Sequence, residues 1–285
     1  MSSFRPDSVI GVVPAAGSAT RLGGRALSKE IEPVYPAPPG QARPIAFCLL
    51  ERLRASGVDR AFVVSSADKV DVRDTLGGGP AGTPALDHLI VEASPAAAYT
   101  VSIGTAAAGE ATVALGFPDV LWNDPMRDGE GAFARLAHAL AESGAEIALG
   151  LFPPSPDYAT DGVVAGDDGV VAGFEPGDRA EGLATWTLAV WRPSFSRFLE
   201  REVAARYGPW SGRTPRGELT MTQAFALAIE AGLSATAVQV SDHPFLDIGE
   251  PARLEAARAA CRSAMDAGGS ADSGNPTDDR APFAE

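Results

Sequence analysis

Positive charge is scarce in this chain: 23 Lys and Arg face 37 Asp and Glu, a net charge of −14. That balance disfavours a broad basic face for nucleic acid or for an anionic membrane. A phosphorylated small molecule is still allowed, held by a few local cations or a metal ion. Cysteine is scarcer, with two in 285 residues. Cys48 and Cys261 stand far apart, in no metal spacing and no redox pair, and read as reduced core thiols. His88, His138 and His243 are scattered and form no metal-ligand spacing. Apolar runs such as Ile45–Leu50 and Val113–Leu115 fall far short of the roughly 20 residues a bilayer span needs. Met1–Ser8 is short and polar, holds a proline and does not read as a secretory leader, so a cytoplasmic location is expected.

What remains is a globular composition, 45% hydrophobic and 21% charged, with ample material for a core. The length suits one large domain or two small ones. Val9–Val13 is an apolar run of the kind found in strands buried on both faces. Pro44–Ser56 reads as a helix, with Pro at its start, Ile45, Leu49, Leu50 and Leu53 on one face and Gly57 closing it. Further strands are expected at Ala61–Ser65, Thr112–Leu115 and Ala145–Leu151, with a helix at Gly131–Ser143. The alternation predicts an α/β domain with a mainly parallel sheet. The second half is mixed. Gly162–Ala165 and Val170–Phe174 form a hairpin across Asp167-Asp168-Gly169. Strands follow at Leu183–Trp191 and Ala235–Val240, with helices at Pro193–Arg206, Leu219–Ala231 and Pro251–Cys261. One domain is expected over 1–264, with halves meeting near residue 125. The tail, Met265–Glu285, is acidic and rich in small residues, and is expected to be disordered.

The most informative segment follows the first strand, from Val12 to Val34. A buried strand runs into a loop of small residues that lets backbone N–H groups approach an anion. In doubly wound sheets ligands bind at the carboxyl ends of strands. Two familiar glycine loops do not fit. A P-loop counted from Gly17 would need its second Gly at Leu22, and the dinucleotide fingerprint would need Gly where Ala19 stands.

This segment resembles the signature of the sugar-phosphate nucleotidyltransferases, the group that includes glucose-1-phosphate thymidylyl- and uridylyltransferases. It has Thr20-Arg21-Leu22, then Ser28-Lys29 where that family has Pro-Lys, then Pro33-Val34. Two further segments resemble the family in order. Leu115-Gly116-Phe117-Pro118-Asp119-Val120-Leu121 is similar to the segment with its metal-binding Asp. Phe245-Leu246-Asp247-Ile248-Gly249-Glu250-Pro251 is similar to its Asp-Ile-Gly-Thr-Pro motif. The resemblance spans about Val9 to Ala260, and the Gly-Phe-Pro-Asp form with Ala184–Trp191 suggests a divergent branch.

The resemblance implies a Rossmann-like, GT-A-like three-layer fold with a mixed, mainly parallel sheet. It also implies transfer of a nucleotidyl group from a nucleoside triphosphate, with dTTP or UTP favoured, to a sugar 1-phosphate with release of pyrophosphate. Two anions must meet, so catalysis is mostly positioning and charge neutralisation. Asp119 and Asp247 would hold Mg²⁺, which takes one or two carboxylates plus substrate phosphates. Read from the residues alone, an isolated Asp in such a place is more often a cap than a ligand, Asp119 of a turn before Pro125 and Asp247 of the helix starting near Pro251. Arg21 would face the β- and γ-phosphates, and Lys29 would sit between the attacking phosphate and the α-phosphate. Ala15, Ala16, Gly17, Ser18, Thr20 and Pro95 would hold the nucleotide, and Gly162, Glu175 and Trp186 the sugar. Where the family has Glu-Lys-Pro this chain has Glu175-Pro176-Gly177 without the lysine, with Arg179 as the nearest substitute. A non-hexose phosphorylated acceptor, or a nucleotide-binding regulatory protein, stays open as an alternative. A glycosyltransferase would want Asp-x-Asp, and the adjacent Asp167-Asp168 sit in a turn. No nucleic-acid or membrane partner is expected, and homo-oligomerisation is left open.

Overall fold

The structure, a computed structural model, describes residues 9–17, 27–36, 41–124, 129–208 and 217–269. In chain order the elements are β1 (Val9–Ala15), one 3-10 turn (Lys29–Ile31), β2 (Pro33–Pro36), β3 (Ala42–Pro44), α1 (Ala46–Ala55), β4 (Arg60–Ser66) and α2 (Val70–Leu76). Then come β5 (Ala85–Val91), α3 (Ala97–Ala108), β6 (Thr112–Gly116), β7 (Val120–Leu121), α4 (Ala132–Ser143) and β8 (Ile147–Phe152). The second half adds β9 (Gly162–Ala165), β10 (Val171–Glu175), β11 (Thr185–Trp191), α5 (Pro193–Tyr207), α6 (Met221–Glu230), β12 (Ala235–Gln239), β13 (Leu246–Asp247) and α7 (Pro251–Gly269).

The central sheet begins with four parallel strands in the order β5-β4-β1-β6. β11 then runs antiparallel between β6 and β8, and β12 joins β8 in parallel. The β9–β10 hairpin attaches at the start of β11, where Thr185 pairs Gly162. The sheet is therefore mixed and mostly parallel, as the alternation of elements predicts.

Period-2 alternation sorts the strand side chains into two layers. Val13, Ala61 and Val63 join α1, α4 and α7 on one face through Leu50, Leu53, Phe133, Leu136 and Leu254. Val12, Val113 and Leu115 join α3, α5 and α6 on the other through Val101, Phe195, Leu199 and Phe225. Helices cover both faces, which gives the three-layer architecture.

Several boundaries differ from expectation by two residues or more, among them the following. Pro44 ends β3, pairing Pro33 across a short antiparallel ladder, and the helix starts two residues later at Ala46. The fixed φ of proline suits a strand end as well as a first helical turn. α7 runs to Gly269, past the expected start of the tail; Ala and Arg carry helix without needing a buried face. The remainder of the tail, 270–285, lies outside the described residues. α6 begins where Thr220 and Gln223 form a capping box. Among the described residues no helix is long and apolar enough to cross a membrane.

α3 carries few large side chains and packs by close approach. A Cβ on Gly104 would lie 2.6 Å from Val12 Cγ1 in the middle of β1. Gly104→Val is therefore expected to cost about 1–3 kcal/mol by overpacking. Chemical denaturation checks it, and an unchanged midpoint would show that α3 can move off the sheet freely.

Candidate active site

β1 and β6 are parallel neighbours, so both lead toward one edge of the sheet. The chain leaving β1 supplies Ala16 and Gly17, and the chain leaving β6 supplies Phe117 and Asp119. These residues line a cavity of about 460 Å³ together with Pro14, Lys29, Glu30, Ser94, Pro95, Ala96, Ala97, Thr100, Glu218 and Gly249. A second cavity of about 260 Å³ adjoins it and shares Ala97, Phe117 and Asp119. Its other walls include Asp161, Trp186, Phe245, Asp247 and a set of hydroxyl side chains: Thr160, Thr185, Thr187, Thr220 and Thr222. Asp119 thus stands where the two cavities meet.

A short ladder brings the two distant acids together. β13 pairs antiparallel with β7, placing Asp247 opposite Val120 and Leu246 opposite Leu121. The Ile248 N–H donates to the Asp119 carbonyl at 3.1 Å. Tyr158 donates to the Phe245 carbonyl at 2.7 Å, and Arg253 lies 4.3 Å over the Tyr158 ring, bracing the segment from its far side. Arg52 of α1 donates to the Trp122 carbonyl at 2.9 Å and ties down the chain just after β7.

Lys29 reaches this pair from the 3-10 turn. Its Nζ donates to Asp119 Oδ2 at 2.5 Å. Burial would lower the ammonium's pKa, but Asp119, Glu30 and Asp247 outweigh that and raise it above the usual lysine range. Burial would likewise push Asp119 up, yet the Lys29 charge and hydrogen bond hold its carboxyl below the usual range. Asp247 moves the other way: burial first, then the Asp119 charge, push it up. One of its oxygens accepts the Gly249 N–H at 2.6 Å, so the local cap expected of an isolated Asp is also present.

The donor set fits Mg²⁺. The two carboxylates in adjoining walls repel each other even with Lys29 on Asp119 and Arg253 3.9 Å from Asp247, and their hard oxygens suit that ion. Among the described residues no group of three His, Cys, Asp or Glu could hold a metal. The pair would need substrate oxygens or water to complete a shell.

Glu30 is 1% exposed, and burial chiefly pushes its carboxyl up. Its Oε1 accepts from Lys69 Nζ at 2.7 Å, while Oε2 has no hydrogen-bond partner among the described residues. Sequence reasoning missed this residue, along with the threonine wall, Asp161 and Arg253. An acid beside a lysine reads as solvated, and its partner comes from a different helix. Pro95, Ala96 and Ala97 lead into α3, whose first turn has no side-chain cap. Backbone N–H groups at such a helix start attract anions.

The expected site residues divide as follows. Ala16, Gly17, Lys29, Pro95 and Asp119 line the first cavity, and Trp186, Asp119 and Asp247 the second. Ala15 is packed in the core at the end of β1. Gly162 lies against Leu183 and Ala180. Glu175 is 43% exposed and 3.8 Å from Arg179. These three line neither cavity. Ser18, Thr20 and Arg21 lie outside the described residues.

No family model and no curated protein matches the chain. Solved structures do. A Bacillus anthracis protein described as a glucose-1-phosphate thymidylyltransferase, crystallised with a sucrose, superposes with a TM-score of 0.71 at 14% identity, covering 94% of this chain and 98% of its own. UTP-bound UGPase from Acinetobacter baumannii superposes at 0.66 with 15% identity, covering 88% of this chain and 92% of its own. A further structure, UDP-glucose pyrophosphorylase from Acinetobacter baumannii, superposes at 0.67 with the same identity and coverage. The fold is therefore that of the sugar-1-phosphate nucleotidyltransferases, at a sequence distance where the likeness is one of architecture.

Asp247→Asn keeps an oxygen for the Gly249 N–H and removes one of two neighbouring negative charges. A carboxyl raised in the folded state favours folding at low pH and loses that contribution as pH climbs through its folded value. Without metal, Asp247→Asn should melt at or above the wild-type temperature, with an advantage that grows from acid to neutral pH. Thermal melts across that range check this, and an advantage that shrinks with rising pH would contradict it.

Proposed function

We propose that this chain is a Mg²⁺-dependent nucleotidyltransferase that joins a nucleoside triphosphate, dTTP or UTP by preference, to a sugar 1-phosphate and releases pyrophosphate. The observation that carries the reading is the convergence of Lys29, Asp119 and Asp247 where two adjoining cavities meet. The fold shared with proteins described as thymidylyl- and uridylyltransferases supports the same chemistry. In this reading the part of the chain before about residue 125 holds the nucleotide, and 126–264 holds the acceptor.

The triphosphate enters the first cavity. Ala16, Gly17 and the start of α3 offer it backbone N–H groups and small side chains. Glu30, Asp119 and Glu218 make the described part of that wall acidic, with Lys29 the one cation in it. A triphosphate therefore needs added positive charge, and Asp119 with Asp247 would hold the ion that supplies it. Bound Mg²⁺ neutralises phosphate oxygens and fixes their geometry. Lys29 stays protonated because acids surround it, and its ammonium would lie between the attacking phosphate and the α-phosphorus. The attacking phosphate is already ionised, so no side chain has to remove a proton. In-line attack forms the new P–O bond as the bond to the departing pyrophosphate breaks, and Arg21 would stabilise that leaving group.

The acceptor enters the second cavity. Its threonines and Asp161 suit a hydroxyl-rich body, and Trp186 with Phe117 offers an apolar wall, their rings 6.1 Å apart. No Lys or Arg lines it among the described residues. The acceptor phosphate would thus depend on Lys29 and the ion at the junction, and a hexose is not required.

A pyrophosphate-release screen of the common triphosphates against a panel of sugar 1-phosphates with Mg²⁺ tests the reading. At least one pair should turn over, and Lys29→Ala should lower its kcat about 10²–10³-fold, equivalent to roughly 3–4 kcal/mol. Nucleotide binding with no turnover across the panel would favour the regulatory alternative.

A further inference from the structure

Lys29 lies on a single 3-10 turn, too short to be rigid by itself. The residues on either side of it are both fastened to the same helix. On one side the Ser28 N–H donates to Asp71 Oδ2 at 2.7 Å, and Ser28 Oγ donates to Asp71 Oδ1 at 2.9 Å. On the other side Lys69 Nζ donates to Glu30 Oε1 at 2.7 Å, in a pair whose side chains are 7% and 1% exposed. Lys69 and Asp71 border the first turn of α2, which Val72 and Leu76 anchor in the core. Two residues further along the turn, Glu32 pairs with Arg258 of α7 at 3.0 Å. Positions 28, 30 and 32 are thus each tied to an acidic or basic side chain, while Lys29 between them points to Asp119.

We propose that Asp71, acting through Ser28, is a positioning residue that holds the Lys29 ammonium at the junction of the two cavities. The proposal rests on the reading of Lys29 as the phosphate-contacting cation. Asp71 lines neither cavity, so it acts on the lysine and not on a substrate.

Ser28 has φ −62° and ψ 142°. Proline is locked near that φ and accepts that ψ. A proline before the lysine would fix this backbone covalently and reduce the freedom of the unfolded chain. A serine has no such lock, and here the double hydrogen bond to a carboxylate supplies the restraint. Bonds to an ionised acceptor are about twice as strong as neutral ones. Proline has no N–H to donate, so Ser28 with Asp71 and a lone proline are two separate solutions to one constraint. The departure from Pro-Lys is therefore compensated from α2.

This equivalence gives the test. Asp71→Ala, Ser28→Pro/Asp71→Ala and wild type are compared by thermal melting, by amide hydrogen exchange and by steady-state kinetics. The Ile31 and Glu32 amides, which donate to Ser28 and Lys29 carbonyls, report the turn directly. In Asp71→Ala these amides should exchange at least about tenfold faster while β1 and β6 amides are unchanged, which marks a local opening. kcat should fall about tenfold or more, since small misplacements of a catalytic group are costly, with KM for the triphosphate changed less than about threefold. Ser28→Pro in the Asp71→Ala background should restore both exchange and kcat to within about threefold of wild type. Asp71→Ala with wild-type exchange and kcat overturns the proposal. So does a double variant that stays as fast-exchanging and slow-turning as Asp71→Ala, because Asp71 would then serve only α2. If no substrate pair turns over in wild type, the functional reading fails by itself and hydrogen exchange still decides whether Asp71 holds the turn.

Discussion

The candidate site depends on the ladder between β7 and β13. Each strand is two residues long, and together they bring Asp247 beside the residue that follows Asp119. A shift of one residue would turn every side chain of the segment to the opposite face. The register is held from outside the ladder, by the Ile248–Asp119 backbone bond, by Tyr158 on the Phe245 carbonyl and by Arg253 beneath the Tyr158 ring. So small a pairing is not stable alone, and the surrounding core decides it.

Electrostatics follow from that geometry. The chain is strongly acidic overall, yet its few cations at the site are placed among acids and not in solvent. Asp119 is ionised because Lys29 is there, and Asp247 is raised because Asp119 is there. A buried ion pair carries a desolvation cost that can cancel its attraction. Retaining Lys29–Asp119 and Glu30–Lys69 side by side is therefore hard to explain by stability. Under the proposed function, preorganisation for a highly charged ligand would explain it, since oriented charges that need not rearrange stabilise developing charge best.

Much of the fold was legible, for identifiable reasons. β1, β4 and β6 are short apolar runs in the middle of a parallel sheet, and α1 and α4 carry clear helical faces. β5 was not recognised because Asp87 and His88 interrupt it at the sheet edge. α3 was missed as a complete helix because Ala, Gly, Ser and Thr give no hydrophobic period; Gly104 shows that its packing relies on smallness. Pro44 misplaced a boundary because one φ serves two structures. Within the site, Lys29, Asp119 and Asp247 could be named from ordered motifs, as could Ala16 and Gly17 in the wall of the first cavity. Glu30, Lys69 and Asp71 could not, since each looks like a surface charge until the chain folds α2 against the 3-10 turn. The hydroxyl wall of the second cavity comes from five threonines spread over β11, the loop around residue 160 and the start of α6, with no local spacing to announce it.

The most direct measurement is anomalous diffraction from a crystal grown with Mn²⁺ in place of Mg²⁺ and a non-reacting triphosphate analogue. The account predicts a metal peak coordinated by carboxylate oxygens of both Asp119 and Asp247, with the triphosphate in the cavity lined by Gly17, Lys29 and Pro95. A metal bound elsewhere, with Asp119 and Asp247 ligating nothing while the triphosphate is in place, would contradict it.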